Sequence, residues 1–111
     1  MSLGNFTVGS TVRIPLQVLE NGGIPATEIS NVKIQELIKP DLSKDSNFPS
    51  SMTLLSSTYS VYYFDYTPED TGNYIAIITL TIGGTAYSQI ESFHIGSAQS
   101  SSGQVPSAKP A

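Results

Sequence analysis

From Thr11 to Val18, apolar and polar side chains alternate, with Val12, Ile14, Leu16 and Val18 set against Thr11, Arg13, Pro15 and Gln17. A period of two predicts a strand with one buried face. Pro15 has no N–H to give to a ladder, which places that strand at a sheet edge or at a break. The cluster "ENGGIP", residues 20–25, then reads as a turn. Alternation resumes at Val32 and Ile34, and the adjacent pair Leu37 and Ile38 implies a phase slip before Pro40. Residues 39–49 are polar with a proline near each end, the pattern of a surface loop pinned by Leu42 or Phe48. A short strand is expected over residues 52–55. The aromatic, β-branched run from Tyr59 to Tyr66 follows, with Tyr62, Phe64 and Tyr66 turned inward and Asp65 on the other face.

Residues 74–82 carry the cleanest alternation, with Tyr74, Ala76, Ile78 and Leu80 on one side and Ile75, Ile77, Thr79 and Thr81 on the other, as in a central strand. Gly83 and Gly84 turn the chain back. A two-residue turn would pair Ile82 with Thr85 and set Glu91 against Ala76 on the core face. A three-residue loop with Gly84 in the left-handed region pairs Thr81 with Thr85 and keeps Glu91 outside. Since a one-residue slip exchanges the faces, the hydrophobic pattern selects the three-residue loop, with a bulge near Glu91 or Ser92 bringing Phe93 and Ile95 into phase. The outer face of this hairpin then carries Ile75, Ile77 and Tyr87, bordered by Gln89 and Glu91; an apolar patch with a polar rim is a candidate partner surface, the alternative being that the loop over residues 39–49 folds across it.

The periodicity makes the chain all-β, and 111 residues suffice for one domain with a single core. The expected division is an N-terminal extension over residues 1–5, part of which reads as a cloning remnant, a sandwich over residues 6–95, and a tail or linker over residues 96–111. That last stretch is rich in Ser, Gly and Pro and has too little to bury to offset its ordering cost. The formal charge of −4 and five scattered basic residues leave no stripe for phosphates, which argues against nucleic acid. No apolar run is long enough for a membrane-spanning helix. Without Cys there is no disulfide framework, thiol nucleophile or Cys-ligated zinc, and the redox compartment stays open.

The stretch "YTPEDTGNY" ending at Tyr74 resembles the corner that precedes strand F in immunoglobulin-like sandwiches, through Asp70, Gly72 and Tyr74. The resemblance implies an immunoglobulin-like antiparallel β-sandwich of about seven strands. It also implies that Tyr74 folds its ring into the sandwich and bonds backbone upstream, that Gly72 permits the reversal, and that Asp70 is a turn acceptor, not a base. Ala76 stands where an antibody-type domain has its second disulfide Cys, and there is no Trp. The likeness is therefore to the disulfide-free accessory domains of bacterial surface proteins and phage tail or virion proteins, whose last strand has a form matched by Phe93, His94 and Ile95.

Little in the sequence points to catalysis. His94 is the single histidine, with no Cys or second His to complete a metal site or a triad. Asp65, Glu69 and Asp70 surround one corner, and Asp41 and Asp45 lie in the long loop, without the spacing of a calcium loop. Tyr59, Tyr62, Tyr63, Phe64 and Tyr66 could stack on sugars, but their alternation reads more simply as core plus one partly exposed face. No cofactor is expected. The sequence thus points to a non-enzymatic structural or interaction domain of a surface or virion assembly, outside the cell or on a particle, contacting other protein chains, copies of itself included. The alternative is a carbohydrate-binding domain that uses surface tyrosines.

Overall fold

The computed structural model describes residues 2–20 and 22–97. Eight strands run in chain order: β1 (Ser2–Thr7), β2 (Val12–Gln17), β3 (Ile29–Ile38), β4 (Ser50–Ser51), β5 (Thr53–Ser56), β6 (Val61–Tyr66), β7 (Gly72–Ile82) and β8 (Thr85–Gly96). One sheet has the order β1-β8-β7-β3-β4 and the other β2-β6-β5. In chain order, β2, β6 and β5 fill the places of strands B, E and D of an immunoglobulin-like sandwich, and β3, β7 and β8 those of C, F and G. Among the described residues there are eight strands, in keeping with the expected number of about seven. One detail departs from expectation: β1 lies parallel to β8, pairing Ser2 with Ser92 and Thr7 with Gly96. Residues 2–5 therefore belong to a strand rather than to an extension, and Gly96 closes β8 rather than opening the tail. Residues 98–111 of the expected tail lie outside the described residues.

The core is where the alternating faces meet. Val12, Ile14 and Leu16 of β2, Ile34 and Leu37 of β3, Tyr74, Ala76, Ile78 and Leu80 of β7, and Phe93 and Ile95 of β8 are all buried. Each large side chain taken from water contributes ~1.5–3 kcal/mol, which is what holds two separate sheets face to face. The β3–β7 ladder shifts register between Ile34 and Glu36, and this slip keeps both Ile34 and Leu37 inside. Residues 39–49 fold back along the edge of β3, where Lys44 bridges Ile38. Phe48 pins the loop by packing on Phe64 and Tyr66, with ring centroids 5.3 and 6.0 Å away, while Leu42 is exposed.

The β7–β8 hairpin overturns the expected register. Ile82 pairs with Thr85, and the ladder runs without a shift to Gly72 and Ile95, so the turn has two residues and no bulge follows. Gly83 and Gly84 both have positive φ, 55° and 86°, as a mirror-image type I′ turn requires, and this turn matches the twist of the strands it joins. Tyr87, Gln89 and Glu91 consequently point to the core side, opposite Leu80, Ile78 and Ala76. The rejected arrangement wins because the unbroken ladder buries Phe93 and Ile95 without a defect, and its cost falls on one residue. Glu91 is only 2% exposed, opposite the small Ala76, and accepts a hydrogen bond from Gln89 Nε2 while its Oε1 has no partner among the described residues. Tyr87 and Gln89 stay solvated because they lie toward the open end of the sandwich.

Candidate functional site

The conformation of the β6–β7 corner follows from its glycine. Gly72 has φ = 125°, a region that side chains rarely adopt, and a Cβ there would lie 2.6 Å from Cβ of Pro40. The chain can therefore turn close under the long loop and deliver Tyr74 into the core. The Tyr74 ring, 1% exposed, stacks on Phe93 with centroids 5.2 Å apart and planes 2° from parallel, and Tyr66 meets both rings edge-on. Its hydroxyl donates to the Asp70 carbonyl at 2.8 Å and accepts from the Asp70 N–H at 3.3 Å. It is thus the main chain of Asp70, not its carboxylate, that meets the tyrosine.

A polar hollow of about 300 Å³ opens beside this corner, lined by Lys44, Asp45, Tyr66, Glu69, Asp70 and Tyr74 among others. Tyr66 donates its hydroxyl proton to Asp45 Oδ2 at 3.0 Å. Burial first, and the Asp45 bond second, hold that phenol far above its ordinary range, and burial likewise raises Tyr74. Both phenols therefore stay protonated near neutrality. The carboxylates of Asp41, Asp45 and Asp65 are held in local structure. Asp41 accepts from both the N–H and the hydroxyl of Ser43, which lowers its pKa, and Asp45 Oδ1 accepts from the Asn47 N–H. Asp65 is lowered by its two bonds to Arg13, at 2.8 and 3.0 Å. His94 is exposed and shares a 2.8 Å hydrogen bond with Asn73. Among the described residues, no three His, Cys, Asp or Glu side chains come together as a metal site.

The aromatic run does not form a platform. Tyr62, Phe64 and Tyr66 pack against the core, Tyr63 on the other face is capped by the Arg13 guanidinium 4.0 Å from its ring centre, and Tyr59 is 60% exposed.

The expected partner surface is split by the register. Ile75 and Ile77 do lie on the outer face of the five-stranded sheet, half-buried, opposite Ser92 and Ile90. Tyr87 lies on the opposite face, since its cross-strand neighbour is the core residue Leu80. Ile90, 57% exposed, takes its place on the outer face, a residue that the three-residue loop had turned inward. The long loop does not lay apolar cover over this face. It sends Phe48 to the core and pairs Lys44 with Glu36, which stands opposite Ile77, at 3.1 Å. Tyr87 instead stands at the mouth of a groove of about 720 Å³, whose apolar lining includes Leu16, Val18, Leu19, Leu80 and Ile82.

No family model and no curated protein matches the chain. Among solved structures, it is similar to an endo-fucoidan hydrolase from glycoside hydrolase family 107, with a TM-score of 0.56 and 12% identity over 89% of this chain. The match covers 13% of that chain, and at this identity the likeness is one of fold alone.

Proposed function

We propose that this chain is a non-catalytic structural or interaction domain of a larger surface or virion assembly, related to the disulfide-free immunoglobulin-like accessory domains and working through contacts with other protein chains. The observation that carries this reading is how the chemically competent side chains are used. Asp41, Asp45, Asp65, Tyr66 and Tyr74 are committed to turns, strand pairing and the corner, whereas Ile77 and Ile90 lie side by side on an outer sheet face. A face with apolar side chains among polar ones suits a flat protein partner, which would be docked by shape and burial. Ile77→Lys should leave the far-UV spectrum and melting close to the parent while weakening association with the chains that flank this one in its assembly. Unfolding on that change would assign Ile77 to the core and remove the surface.

The second reading, a carbohydrate-binding domain, draws on the similarity to a small part of a fucoidan hydrolase and on the exposed ring of Tyr59. Calorimetric titration with a glycan panel distinguishes the two. Saturable heat that Tyr59→Ala abolishes would establish the carbohydrate reading, and its absence across the panel favours protein contacts.

A further inference from the structure

Sheet edges are templates for further strands, and folded chains blunt them with proline, charge, bulges or short length. Among the described residues, most edges here are blunted. In the small sheet, β2 carries Pro15 and Arg13, and β5 has four residues with a register shift between Leu54 and Ser56. In the large sheet, β4 has two residues, β1 shifts register between Ser2 and Asn5, and β3 is irregular, with Asn31 at φ = 54°. The first half of β8 has none of these devices. Among the described residues β1 pairs with its edge from Ser92 to Gly96, while Thr85–Gln89 are all exposed, pair regularly with β7 on their other side, and include no proline, glycine or charge. The row of backbone groups along Thr85–Gln89 therefore continues the row that β1 already uses.

We propose that a second copy of this chain pairs antiparallel along this edge, with Tyr87 on the two-fold axis. Centring on Tyr87 uses the whole segment and sets Thr85 opposite Gln89, Ala86 opposite Ser88 and Tyr87 opposite Tyr87, with no like charges facing each other. The row carries no charge of its own, and a copy supplies an equally neutral strand. Residues 85, 87 and 89 lie on the core side of the sheet, opposite Ile82, Leu80 and Ile78. The two tyrosine rings thus meet over the 720 Å³ groove and cover its apolar lining, along with Tyr87 itself, 51% exposed, and Leu19, 47% exposed. The same register brings the Gly83–Gly84 turn of each copy beside the start of β1 on the other. This surface is separate from the Ile77 face, and the two stand or fall independently.

Sedimentation of the full chain from micromolar to millimolar concentration should show a monomer–dimer equilibrium. Tyr87→Lys places two like charges on the axis and should weaken dimerisation by about tenfold or more with melting close to the parent. As the chain has no cysteine, Tyr87→Cys should form a disulfide-linked dimer on oxidation, because directly opposed residues lie within bridging distance. Leu55→Cys, exposed on β5 in the other sheet, should remain monomeric under the same conditions. If Tyr87→Lys fails to fold, the cysteine pair still decides. A chain that sediments as a monomer at millimolar concentration overturns the proposal, as does Leu55→Cys linking as fast as Tyr87→Cys.

Discussion

The strands β7 and β8 run the length of the larger sheet in unbroken register, yet their two ends have opposite character. At the Tyr74 end, Phe93 and Ile95 are buried, β1 covers the β8 edge, and the rings of Tyr66, Tyr74 and Phe93 close the space between the sheets. At the hairpin end, the residues from Thr85 to Ile90 are all exposed and the groove lies open. Strand pairing is as regular at one end as at the other. The difference comes from what the second sheet and the connecting segments lay over each end. A backbone ladder alone does not make a core, and stability should be concentrated at the corner, leaving the hairpin end available for contacts.

The largest test of this asymmetry compares two tyrosines. Tyr74→Ala removes a buried ring and should cost ~3–5 kcal/mol, while Tyr87→Ala, at low concentration where any dimer is dissociated, should stay within ~0.5 kcal/mol of the parent by chemical denaturation. Equal losses would mean that the hairpin end is packed as firmly as the corner. Next in size, Gly72→Ala combines a disfavoured φ with the collision against Pro40 and should cost ~3 kcal/mol, read in the same unfolding curves.

At the hairpin tip, Gly83→Val and Gly84→Val should each cost ~1–2 kcal/mol, since both positions have positive φ. A harmless Gly83→Val would point back to a three-residue loop, in which only Gly84 is left-handed. The smallest effect is expected at the boundary between the two ends. Glu91→Met removes a buried carboxylate oxygen that has no partner among the described residues and should raise stability by ~1 kcal/mol. A fall in melting temperature would instead show that the Gln89–Glu91 contact stabilises the fold.

The alternation of β2 and β7, the inward set Tyr62, Phe64 and Tyr66, a slip late in β3 and a pin by Leu42 or Phe48 were legible in the sequence, and the structure places the slip between Ile34 and Glu36 and gives the pin to Phe48. Each depends on local periodicity or on a side chain that must be buried wherever the chain goes. That the Tyr74 hydroxyl bonds backbone upstream was legible only through a resemblance, and that the partner is the main chain of Asp70 came from the structure, because a four-residue bond across a corner leaves no periodic trace. The outer face was half legible. Ile75 and Ile77 follow from β7 alone, but whether Tyr87 or Ile90 joins them depends on the partner strand.

The sequence by itself determined an all-β chain, the strands with clear alternation such as β2, β6 and β7, and the inner face of each of them. Tertiary structure decided the register of β8, the parallel addition of β1 and hence which residues reach the surface at the hairpin end. The physical reason is that a strand's own pattern specifies alternation but not phase when Glu91 and Phe93 compete for the same face. Burying Phe93 and Ile95 in one continuous ladder outweighs hiding a single carboxylate opposite Ala76, and that balance exists only once the second sheet is in place.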